Sequence, residues 1–107
     1  MIGRFKDEFP DYGEMDVPVP DHFEDVSWGN EASPCFHSKE ARVFLYVDYA
    51  EPAKREFPEL ERFGLLEASE DGQHKAEDGH LLHSDDFARI LEKVEARRAE
   101  FAPRPAP

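Results

Sequence analysis

A chain of 107 residues with one cysteine and a formal charge of −12 has room for one domain, burying roughly 65% of the surface its unfolded form exposes. An intramolecular disulfide and a multi-cysteine zinc knuckle are excluded, and 25 acids against 13 bases disfavour direct contact with a nucleic-acid backbone. The 39% apolar and 12% aromatic content supplies a packed interior, which argues against wholesale disorder.

In chain order, Ile2, Phe5 and Phe9 fall at helical spacing and Pro10 discourages continuation, which predicts a short N-terminal helix that must dock on a core to be stable. Residues 11–25, DYGEMDVPVPDHFED, hold three Pro or Gly residues and six acids and read as an irregular surface connection with little ability to bury a core. Alternation of Val26 and Trp28 with Asp25 and Ser27 predicts a strand over 25–28, with Trp28 in the core. WGNEASP then turns the chain into CFHS.

ARVFLYVDY is the strongest strand signal, with Val43, Leu45, Val47 and Tyr49 on one face and Phe44 and Tyr46 on the other, as a central strand requires. EPAKREFPELE allows one helical turn at Pro52 before Pro58 stops it. RFGLLEA and HLLH flank EDGQHKAEDG, whose two Asp-Gly pairs signal a long hairpin. Ser84 or Asp85 can cap a final helix with Phe87, Ile90, Leu91, Val94 and Phe101 on one stripe, ended by Pro103. The expected architecture is an α+β fold: an antiparallel meander of about four or five strands, a C-terminal helix packed on one face and the short N-terminal helix nearby. One domain spans 1–102 and a Pro-rich tail 103–107.

Residues 74–86, HKAEDGHLLHSDD, set His74, His80 and His83 among four acids and invite a metal reading. Three apart on an extended strand, His80 and His83 point to opposite faces, and His74 lies in the turn. The stretch is therefore read as a polar hairpin without specific zinc affinity, and no metal or other cofactor is expected. Cys35 and His37, two apart on a strand, share a face as a thiol and its base must. With Tyr46 they define one alternative, a small enzyme or ligand-binding domain with a cleft at those residues; a structural subunit is another. Cys35 beside Phe36 reads more simply as a packed residue. No phosphate loop, nucleophile elbow or dinucleotide fingerprint is present.

Charge is unevenly spread: residues 1–31 hold nine acids (Asp7, Glu8, Asp11, Glu14, Asp16, Asp21, Glu24, Asp25 and Glu31) against Arg4 and Lys6. Asp11, Glu14, Asp16, Asp21, Glu24 and Asp25 are expected to form a recognition surface, joined by Tyr46, which shares a strand face with Arg42, Phe44 and Asp48. WGNEASP and VDYAEPAKREFPE also concentrate side chains suited to interfaces. In composition the chain is similar to small acidic inhibitors such as immunity proteins and phage anti-defence proteins, a likeness of class carried by no motif. The function expected is a non-enzymatic protein-binding module, such as an inhibitor that covers a basic nucleic-acid-binding face of its partner. A homodimer is compatible with the same sequence. MIGRFKDEFP lacks the apolar core of a leader and VFLYV is too short to span a bilayer, so a soluble cytoplasmic protein without a membrane partner is expected.

Overall fold

A computed structural model describes residues 5–29, 31–69, 71–73 and 79–102. Five strands, Phe23–Asp25 (β1), Cys35–Ser38 (β2), Val43–Val47 (β3), Phe63–Glu67 (β4) and His80–Ser84 (β5), form one sheet in the order of the chain. Every neighbouring pair is antiparallel. Helix Phe5–Glu8 (α1) precedes the sheet and helix Phe87–Phe101 (α2) follows it. The α+β meander with a helix at each end is the architecture the periodicities predict.

β-branched and aromatic residues suit the central strand β3, and the period of two divides its side chains between faces. Val43, Leu45 and Val47 are fully buried on one face, joined there by Phe36, Phe63 and Leu65 from the neighbouring strands. Ile90 and Val94, four residues apart on α2, close over this face, and so does Phe5 of α1, whose ring lies 6.3 Å from that of Phe36. Leu91 is only half-buried, so the helix buries a narrower stripe than its sequence suggests. Opposite, Cys35, Phe44 and Ala68 form a smaller cluster with Val26, Tyr46 and Leu66.

Three local expectations are corrected. β1 lies earlier than 25–28, and Trp28 is 58% exposed instead of buried. The Asp25 carboxylate turns back to accept from the Ser27 amide at 3.1 Å, a side-chain bond that competes with a continued strand ladder. The cap of α2 is Asp86, which accepts from the Ala88 amide at 3.0 Å. Ser84 accepts from the Asp86 amide, and Asp85 from the Arg62 amide at 2.8 Å. Finally, the connection after α1 is irregular but not empty of core: Tyr12, Met15, Val17 and Val19 pack against the main cluster.

Arg97 of α2 is buried and donates to the carbonyls of Ala41 and Arg42 at 2.8 and 3.1 Å. It fixes the β2–β3 turn, where Arg42 holds a positive φ of 52°. No helix among the described residues is long and apolar enough to cross a membrane.

Candidate functional site

The six acids singled out in the sequence do not remain a free set. Asp11 accepts from the Tyr49 hydroxyl at 2.8 Å, Glu14 pairs with Lys6 at 3.2 Å and Asp16 with Arg62 at 2.5 Å. Asp25 accepts from the backbone amides of both Phe5 and Ser27. Asp21 and Glu24 are exposed. The Arg62 guanidinium also reaches the Asp48 carbonyl and the Tyr12 hydroxyl, at 2.8 and 3.2 Å, and its hydrogen bond holds the Asp16 carboxyl below the usual carboxylate range. Burial, with Asp11 beside it, pushes the Tyr49 phenol up to about 12. Asp11 and Asp16 strap the connection to the segments that follow β3 and precede β4, while Glu14 and Asp25 tie α1 down.

A second acidic segment, residues 51–61, behaves differently. Its 3-10 turn Pro52–Lys54 is followed by a further turn in which Leu60 N donates to the Phe57 carbonyl at 3.0 Å. Arg55 anchors the base of the segment on the carbonyls of Tyr49 and Ala50, at 2.6 and 3.1 Å. Beyond that base Phe57 and Leu60 stand 48% and 49% exposed, interleaved with exposed Glu51, Glu56, Glu59 and Glu61. A hollow of about 500 Å³ opens between Pro52, Pro58, Leu60, Arg62 and Asp85. Prolines at 52 and 58 restrict the backbone that carries the exposed side chains, so less freedom is lost when a partner covers them.

The Cys35, His37 and Tyr46 constellation does come together on one face, through the pairings Cys35 with Tyr46 and His37 with Phe44. Its chemistry is quiet. Cys35 is 1% exposed and burial pushes its thiol up to about 12, leaving almost no thiolate near neutrality. Tyr46 donates to Glu31 at 2.7 Å, and burial raises its phenol further. A shallow hollow of about 270 Å³ lies above Cys35 and Phe44, with Trp28 and Glu31 at its edge.

The histidine stretch departs from its expected geometry. β4 and β5 pair Gly64 with His83 and Leu66 with His80, with an irregularity between Leu65 and Leu66. This register shift absorbs one residue of β5 and brings both histidines to the Gly64 and Leu66 face, overturning the expectation of opposite faces. The two rings lie edge to edge, with centroids 4.4 Å apart and planes 13° from parallel, and Nε2 of His80 meets Nδ1 of His83. Burial, followed by the neighbouring His80, lowers the His83 pKa, and Glu61 opposes that shift. His74 lies outside the described residues. Among the described residues, no group of three or more His, Cys, Asp or Glu side chains is arranged to hold a metal ion.

One polar cluster had no sequence signal. His22 Nδ1 lies 2.7 Å from the Ser38 hydroxyl oxygen, and its Nε2, buried without a hydrogen bond, is 3.8 Å from a Glu95 carboxylate oxygen. The residue types are those of a hydrolytic triad, yet Ser38 is fully buried and its hydroxyl oxygen accepts from the Ala41 amide. No substrate carbonyl can reach it. The cluster joins the connection to β2 and α2, elements distant in sequence, and no spacing rule could have found it.

No protein-family profile matches the chain, and neither a characterised protein nor a solved structure matches it.

Proposed function

We propose that the protein is a non-enzymatic, acidic protein-binding module that engages a basic partner surface through residues 51–61, in the manner of an inhibitor covering a nucleic-acid-binding face. The observation that carries this reading is the placement of Phe57 and Leu60, both about half exposed, among four exposed glutamates on a proline-braced segment. Apolar anchors supply affinity when a partner pocket desolvates them, while surrounding charge steers association and selects a partner of opposite sign. The net charge of −12 extends that attraction beyond the contact itself. The strapped acids Asp11, Glu14, Asp16 and Asp25 contribute to this field, with Asp21 and Glu24 free to touch a partner. Tyr46 supports the sheet through Glu31. The buried, protonated Cys35 gives the enzyme alternative no activated nucleophile.

The test is capture of a partner from the native host on immobilised wild-type protein, followed by rate measurements with the purified partner. Changing Phe57 and Leu60 together to Ser is expected to speed dissociation, and changing Glu51, Glu56, Glu59 and Glu61 to Gln to slow association at low salt by about tenfold, within the range of steering. Wild-type rates in both variants would refute docking through this segment.

A further inference from the structure

We propose that β5 carries a binding site for a divalent transition-metal ion of the imidazole-preferring kind, chelated by Nε2 of His80 and Nδ1 of His83. Three features built into the strand pair converge on it. The register irregularity opposite Leu65 and Leu66 sets both histidines on one face, where a regular strand would have separated them. Gly64, directly across from His83, leaves the space in which the imidazole lies; a Cβ at that position would stand 2.7 Å from His83 Nε2. The two ring nitrogens are also aimed at one another.

Two neutral imidazoles with facing nitrogens can share a proton, or hold an ion in its place at about 2.0–2.1 Å from each nitrogen. Admitting the ion requires the rings to part. His80 can supply that movement, because it is exposed while His83 is seated over Gly64. Imidazole donors favour zinc, copper and nickel over magnesium and calcium, which take oxygen ligands. With two protein ligands, the remaining coordination positions belong to water. The acidic surface raises the local concentration of cations in general, but only the histidine pair adds selectivity for a transition ion.

The probe is zinc chloride added to the full chain and followed by calorimetry, with cobalt(II) in parallel for its visible spectrum. Saturable binding of one equivalent, undisturbed by excess magnesium, is expected. Single His80→Ala and His83→Ala changes should each weaken it by at least about tenfold, the lower end of what loss of even an outer-shell partner costs. Gly64→Ala keeps both donors but displaces the His83 ring, and it too should weaken zinc binding. Each variant is checked for an intact fold by its melting curve. Absence of saturable zinc binding, or unchanged affinity in the double variant His80→Ala with His83→Ala, would overturn the assignment.

Discussion

Residues 11–22 and 51–61 are both acidic, both contain two prolines and neither builds a strand, yet they meet opposite fates. In the first, three of the four acids, Asp11, Glu14 and Asp16, are bound down, to Tyr49, Lys6 and Arg62. In the second, the side chains of Glu51, Glu56, Glu59 and Glu61 are exposed and make no hydrogen bond or ion pair among the described residues. The difference lies in the apolar residues between the acids. Tyr12, Met15, Val17 and Val19 reach the core and draw their acidic neighbours within reach of donors on α1 and just beyond the ends of β3 and β4, whereas Phe57 and Leu60 find no core to enter. Acidity alone therefore does not mark a recognition surface; the burial of the residues beside it does.

The sharpest way to break that comparison is to loosen the strap. Tyr12 packs its ring against those of Phe5 and Tyr49, at 5.7 and 4.9 Å, and donates to the Asp48 carbonyl at 3.1 Å. Tyr12→Ala should cost about 3 kcal/mol in denaturant unfolding, as expected for a packed aromatic that also loses a hydrogen bond. A cost below about 1 kcal/mol would mean that the connection folds independently of the sheet. Arg62→Met comes next. It keeps the packing volume but removes the guanidinium's bonds to the Asp48 carbonyl, which still accepts from the Tyr12 hydroxyl, and to the exposed Asp16 carboxylate, for an expected loss of about 1 kcal/mol; if urea midpoints of the two proteins coincide, the guanidinium is not what ties the segment down.

A smaller effect should appear as a pH dependence. Burial is the main cause of a lowered His22 pKa; Arg98 lowers it further, while Glu40, Glu95 and Asp21 act in the opposite direction. Because the folded value lies below the unfolded one of about 6.5, the unfolded chain binds more protons between the two. Stability from this group is thus fully present above about pH 6.5 and declines as pH falls towards the folded value. His22→Asn keeps a hydrogen-bonding group near Ser38 and removes the titration. Its loss of stability between about pH 7.5 and 5.5 should be smaller than that of wild type in paired melting curves, and an equal loss would assign the dependence to other groups.

How far the sequence could be read follows from what each signal measures. Periodicity found β2, β3 and α2, because burial on a regular element repeats every two or 3.6 residues. It misjudged Trp28, since composition cannot say whether an aromatic beside a turn faces in or out. It also misplaced His80 and His83, because an added residue in the β4–β5 register reverses every parity beyond it. The acid partners Tyr49, Arg62 and Lys6 were invisible for another reason. Except for Lys6 and Glu14, the pairs are separated by 38 and 46 positions, and only the folded sheet brings them together.

The least disruptive change should separate the two segments most cleanly. Replacing Phe57 and Leu60 by Ser removes side chains that are about half exposed and belong to neither core cluster, so each should alter folding stability by no more than about 0.5 kcal/mol. The 3-10 turn at Pro52 and the Arg55 anchor on Tyr49 and Ala50 involve neither side chain, so the backbone of the segment should keep its shape. Near-wild-type melting with loss of partner retention would place binding in this segment and stability in the strap. The reverse outcome, a destabilisation above about 2 kcal/mol, is the size expected of buried apolar side chains. It would mean that Phe57 and Leu60 are covered in solution by the protein itself, and the contrast between the two acidic segments would then be one of degree.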